Sequence, residues 1–158
     1  MTPETLTLVS LLIHVPVVVA WIVFASAEAA LASPKFLVAQ APLQFVTALR
    51  IPTLVLLAII LVTGIRQTMD NPFVPVNSIE TLEKLRDTTT YGMALFIKHI
   101  WVVATVVLSL VLRFWLAPRL LTAGETQPSR LFGILAWLNV GACVLTLLAT
   151  TRMLIQLH

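Results

Sequence analysis

Charge is what this sequence has least of. Only 11% of its 158 residues are Asp, Glu, Lys or Arg, against 59% hydrophobic. A water-soluble domain needs more polar surface than that, so the soluble classes are excluded and the composition is that of an integral membrane protein. The single cysteine, Cys143, rules out an intrachain disulfide and any CxxC pair, and says nothing about redox compartment. There is no phosphate-binding glycine loop, no Ser/His/Asp arrangement and no CxxCH run, so any haem would be held non-covalently. The net charge of +3 does not point to nucleic acid, because the basic residues stand singly at the ends of apolar stretches, where they anchor helices at the membrane interface.

What the chain does have is four apolar runs of the length, about 20 residues, that crosses a hydrocarbon core. They fall at about 6–31, 46–67, 91–116 and 131–155. Such continuous runs are too long for barrel strands, and lipid admits only helices or closed barrels. The expectation is an all-α, up-down-up-down four-helix bundle forming a single transmembrane domain over residues 1–158. No Lys or Arg precedes the first run, so it reads as a retained span rather than a leader peptide.

The longest connection, "TMDNPFVPVNSIETLEKLRDTTT", carries Ile79, Leu82 and Leu85 at near-helical spacing. Asn77 followed by Glu80 resembles a capping box, and together these predict a short amphipathic helix on the membrane surface. Orientation rests on basic residues. Lys35, Arg50, Arg113, Arg119 and Arg130 fall toward one face, and Arg66, Lys84, Arg86 and Arg152 toward the other. The positive-inside rule then puts both termini on the non-cytoplasmic side of a bacterial-type inner membrane.

Ionisable residues inside spans are costly and therefore mark function or structural ties. In "LLIHVPVVVAWIVFASAEAALA", His14, Trp21 and Glu28 recur every seven residues and share one helical stripe. His14 lies roughly 12 Å into the first span and His99 roughly 10 Å into the third, which runs the same way. Two histidines at matching depth fit opposite faces of one haem iron, or a smaller shared metal. Hydrogen bonding to a neighbouring helix is the plainer alternative. Tyr91, Lys98, Thr105 and Ser109 form one stripe of the third span, with His99 about 100° away beside Arg113. Lys98 either snorkels to the surface or holds a carboxylate such as a haem propionate. Toward the other face Glu28 has Arg50 and Arg113 as candidate partners for a structural ion pair, with Glu28 and Arg50 expected in one leaflet. Met69, Met93 and Met153 lie toward the histidine face, where thioethers suit Cu(I), although they form no MxxxM cluster.

Together these residues resemble the copper-resistance protein D family and its relatives, the four-helix HemJ-type protoporphyrinogen oxidases. The resemblance is carried by His14 to Trp21 as H-x6-W, by the opening arginine and closing Thr-Gly of "RIPTLVLLAIILVTG", and by the Tyr-Gly and lysine of "YGMALFIK". The order and spacing run over all four spans, in motifs that are each short. The copper-resistance resemblance implies copper movement across the inner membrane. The HemJ-type resemblance implies a haem-binding oxidase in which the first-helix histidine and third-helix lysine matter, here His14 and Lys98. Two departures stand out: Val23 occupies the position of an expected glycine, and His99 follows the lysine. The added histidine favours a six-coordinate, electron-transfer haem b over substrate oxidation. The expectation is therefore a b-type haem protein with His14 as first ligand and His99 as second, Lys98 competing and Trp21 packing below. It would exchange electrons with membrane or redox proteins. Copper uptake, or a cofactor-free subunit of a larger membrane complex, are the rivals.

Overall fold

The computed structural model describes residues 3–33, 42–69, 76, 78–125 and 127–155; Lys35, Asn77 and His158 lie outside them. The elements are helices α1 (Pro3–Leu31), α2 (Pro42–Ala48), α3 (Arg50–Met69), α4 (Ile79–Thr88) and α5 (Thr90–Leu110). A π-helical turn (Val111–Leu116) then leads into α6 (Ala117–Thr122), and α7 (Arg130–Ile155) follows. Four stretches are long and apolar enough to span a membrane: Leu8–Leu31, Arg50–Met69, Thr90–Thr122 and Arg130–Met153. The protein is thus an all-α bundle of four spans, as its apolar runs require. The third span is longer than its sequence suggested, because α5, the π turn and α6 run on without a break.

The packing is uneven around the bundle. α1 packs against α3 and α7, and α7 packs against α5 along most of its length. The backbones of α3 and α5 are not closely packed, and the second and third spans are joined through side chains, Arg50 to the Arg113 carbonyl and Arg113 to Thr53. α3 is the peripheral member: Thr53 is its one buried residue, and Ile51, Val55, Val62 and Ile65 face outward. α1 and the third span, running parallel, meet through side chains, Trp21 with Thr105 and Glu28 with Arg113.

The largest apolar cluster lies where α1 ends and the fourth span begins. There Ala29, Leu43, Val46, Leu112, Ala117, Phe132 and Ala136 are all fully buried. At the opposite end a smaller cluster gathers Val76, Ala94, Leu95 and Met153, with Leu82, Leu85 and Tyr91 against it.

That second cluster is covered by the expected amphipathic helix. α4 is capped by Ser78, whose hydroxyl accepts from the Thr81 N–H at 3.1 Å. The serine therefore does what Asn77 was expected to do. Leu82 and Leu85 turn inward while Ile79 stays exposed. Arg86 lies over the Phe96 ring at 5.1 Å, and the Arg86 guanidinium beside Asp87 holds that carboxyl below its ordinary range. The corner into α5 turns at Thr89, which accepts from the Gly92 N–H at 2.9 Å. A Cβ on Gly92 would run into the Leu85 carbonyl and the Arg86 nitrogen, so only glycine allows α4 to fold back this closely.

Candidate functional site: a layered polar stripe

The stripe His14, Trp21, Glu28 of α1 faces a matching stripe of the third span in three layers. In the layer farthest from the termini the Arg113 Nε donates to Glu28 Oε1, both side chains being fully buried. Arg113 Nη1 donates to Thr53 Oγ1, whose own proton goes to the Leu49 carbonyl at 2.6 Å. The guanidinium lies over the rings of Trp21 and Phe24, at 5.5 and 5.9 Å. Arg50 does not reach the carboxylate. Its Nε donates instead to the Arg113 backbone carbonyl at 2.8 Å, so of the two candidate partners Arg113 takes Glu28 and Arg50 braces the turn. One oxygen of the pair (Glu28 Oε2) and one nitrogen (Arg113 Nη2) are buried without a hydrogen-bond partner.

In the middle layer the Trp21 indole N–H donates to Thr105 Oγ1 at 3.4 Å. Thr105 donates to Asn139 Oδ1 at 2.6 Å, and Asn139 Nδ2 donates to Ser109 Oγ at 2.9 Å. Because the Thr105 proton is committed, Cys143, 3.1 Å away, is the donor in its contact with that hydroxyl. The network joins α1, the third span and α7. Every member of it is buried, and its bonds satisfy groups that lipid could not.

In the layer nearest the termini, His14 Nδ1 lies 2.7 Å from Thr63 Oγ1. The Thr63 hydroxyl also lies 2.6 Å from the Ile59 carbonyl, and with its proton there Nδ1 of the ring is the donor. The ring therefore keeps a free lone pair on Nε2. His99 reaches the same state by another route, its Nδ1 donating to the Leu95 carbonyl at 2.7 Å. Ser10 donates to the Thr63 carbonyl at 3.3 Å and accepts from Gln67 Nε2 at 3.5 Å, fixing α1 to α3 around the ring. Gly64 faces the His14 ring, and a Cβ there would sit 3.4 Å from Cε1. Lys98 is partly buried and within electrostatic reach of His14, and among the described residues its amine has no hydrogen-bond partner.

The register explains these pairings. Trp21 and Thr105 are 84 positions apart, and so are His14 and Lys98, but Glu28 and Arg113 are 85 apart. The extra residue is absorbed by the π-helical turn at Val111–Leu116, since a π turn holds one more residue than an α turn. In an unbroken α-helix Leu112 would face Glu28. The π turn instead sends Leu112 into the apolar cluster and carries Arg113 onto the stripe of Lys98, Thr105 and Ser109, away from the His99 face where uniform α-helical spacing put it. His14 thus shares its layer with Lys98, and His99 sits to one side, tied to its own helix.

The methionines do not gather. Met69 and Met93 are exposed on different helices, and Met153 is packed among apolar side chains. Among the described residues no three His, Cys, Asp or Glu side chains converge. Thr53, Thr63 and Asn139 were not singled out from sequence. Asn139 alone carried a usable signal there, being an amide inside a span, whereas a threonine in a helix satisfies itself on its own backbone and advertises nothing.

Protein-family models, curated proteins and solved structures give no match to this chain. Fold and spans alone define its class, a multi-pass α-helical membrane protein with a polar stripe through its interior.

Proposed function

We propose that this protein is a membrane-embedded b-type haem protein that passes electrons between partners in or beside the bilayer. The observation that carries the reading is the hydrogen bonding of the two histidines through Nδ1. Both commit Nδ1 as a donor and leave Nε2 unprotonated. A fixed Nδ1–H with a free Nε2 is the state in which imidazole binds iron, and the outer hydrogen bond sets ring orientation and ligand basicity. The remaining donor set fits haem as well: a lysine without a partner among the described residues would suit a propionate. When bound, haem supplies one-electron chemistry at a potential tuned by its axial ligands and apolar surroundings.

In this reading His14 and His99 hold the iron, Thr63 holds the His14 ring, and Lys98 neutralises a propionate. Trp21 closes the floor between the cofactor and the buried ion pair. The protein sits in a bacterial-type inner membrane with both termini non-cytoplasmic. The test is the absorption spectrum of protein purified from haem-replete cells. A Soret band with low-spin features is expected, lost in His14→Ala and converted to high spin in His99→Ala. A colourless wild-type protein sinks the proposal. If colourless protein raises cellular copper, the copper-uptake reading replaces it; if copper is unchanged too, the role as a cofactor-free subunit does.

One observation favours a second reading. The register pairs His14 with Lys98, the two positions that the HemJ-type resemblance singles out. In an oxidase of that type His99 is not a ligand, so His99→Ala would keep the wild-type spectrum and the protein would oxidise protoporphyrinogen.

A further inference from the structure

On the outside of the bundle, at the opposite end from the histidines, an open groove of about 710 Å³ runs along α7 beneath the α6–α7 connection. Its lining changes character along its length. Gln127, Ser129 and Arg130 form the polar mouth, and Ile134, Trp137 and Gly141 continue it along the helix. Arg130, Ile134, Trp137 and Gly141 follow one another on a single stripe of α7, all exposed. From Arg130 to Gly141 is about 16 Å of helix, close to the thickness of half a hydrocarbon core.

Two details bear on what this groove holds. Arg130, like Arg119 and Arg152, has neither an ion-pair nor a side-chain hydrogen-bond partner among the described residues, so its guanidinium can serve a ligand. Gly141 has nothing within 4 Å of where a Cβ would stand, so no packing inside the protein calls for a glycine there. A glycine in a helix interior costs roughly 0.5–1 kcal/mol relative to alanine. What it does here is leave the far end of the groove open.

We infer that this groove binds one phospholipid with a negatively charged headgroup. The phosphate meets Arg130 with the Gln127 amide and the Ser129 hydroxyl, and one acyl chain lies along Ile134 and Trp137 over Gly141. The charge favours an anionic headgroup, because the only ionised side chain in the lining is a cation. The length favours a lipid of one leaflet. An indole one to two turns below the headgroup is where tryptophan is stable in bilayers. This inference does not depend on any cofactor at the histidine end.

Native mass spectrometry of the full-length protein, given equimolar phosphatidylglycerol and phosphatidylcholine, tests it. Wild type should retain phosphatidylglycerol preferentially. Arg130→Gln should reduce that retention about fivefold, the worth of one basic residue at an anionic surface, and leave phosphatidylcholine unchanged. Gly141→Leu, which fills the groove, should reduce retention of both. Arg119→Gln removes an interfacial arginine outside the groove that stacks on Trp115, and should have no effect. Equal retention of the two lipids by wild type, or equal losses in Arg130→Gln and Arg119→Gln, would overturn the site in favour of diffuse attraction. Conversion of a dimer to a monomer by Gly141→Leu with lipid retention unchanged would overturn it in favour of a second copy of the chain.

Discussion

The two ends of the stripe are built from similar residue types and do opposite things. At the glutamate end an acid, an arginine and a threonine from three spans are sealed beneath the largest apolar cluster, and the second and third spans are tied through Thr53 and Arg50. At the histidine end the second span is tied to the first instead, through Thr63 and Gln67. The polar groups there are only partly buried, and both imidazoles and the amine keep unused valence. One end spends its polar groups on one another; the other holds them ready. A bundle that must stay folded in lipid while leaving room for a ligand can divide those tasks along its axis, with Trp21 and the Thr105–Asn139 network as the partition.

That division is broken most severely by removing one partner of the sealed pair. Arg113→Met strands a buried carboxylate and is expected to destabilise the bundle by about 3–5 kcal/mol in detergent unfolding. Adding Glu28→Gln should recover most of the loss, since the uncompensated charge is gone. If the double variant is no better than the single one, the pair is not what holds that end.

Next in size is the corner that covers the histidine end. Gly92→Ala drives a methyl into the Leu85–Arg86 backbone, which cannot yield as a flexible side chain would. A loss of about 1–3 kcal/mol is expected, with α4 released from the bundle and its amides exchanging faster with solvent. An unchanged exchange pattern would mean that α4 does not cap that end.

The partition is the third target. Asn139→Leu removes the bonds to Thr105 and Ser109 at once. Interhelical hydrogen bonds in membrane proteins average only about 0.6 kcal/mol, reaching about 1.7, so a melting shift well below that of Arg113→Met is expected. A loss as large as that of the buried pair would make the amide network, not the salt bridge, the keystone of the fold.

These contrasts also show what was legible in the residues. Four spans follow from run length, because nothing else satisfies so much apolar backbone in lipid. The surface helix follows from Leu82 and Leu85 recurring beside charged residues, with only its cap displaced, from Asn77 to Ser78. Glu28 and Arg113 were visible as candidate partners, but the choice between Arg113 and Arg50 was not. Matching depth alone left Arg50 equally placed, and the π turn that rotates Arg113 into line has no signature in "VLRFWL". His14 facing Lys98 lies before that turn, in unbroken α-helix, and the Lys98–Thr105–Ser109 stripe was legible; the cross-helix register that sets Lys98 rather than His99 opposite His14 was not. The peripheral place of α3 is hidden for a different reason: it is a property of which helices pack together, which run length does not report.

The smallest effect on stability is expected at the histidine end, where the change should appear in the ligand instead. Thr63→Val removes the acceptor of the His14 Nδ1 proton and adds no bulk. The cost to folding should stay within about 1 kcal/mol, since one interhelical hydrogen bond is lost and α3 is peripheral. The freed ring can rotate and exchange tautomers, and loss of such an outer partner typically weakens metal binding about 10–100-fold. Haem retained through purification should therefore fall sharply in Thr63→Val and recover in Thr63→Ser, which restores the hydroxyl. The decisive comparison is with Thr53→Val at the sealed end. That variant deprives Arg113 of an acceptor and should lower stability more than Thr63→Val while leaving retained haem unchanged. If both threonine variants lower stability alike and neither changes the cofactor, the two ends do the same structural work, and the histidines are held by their helices for packing alone.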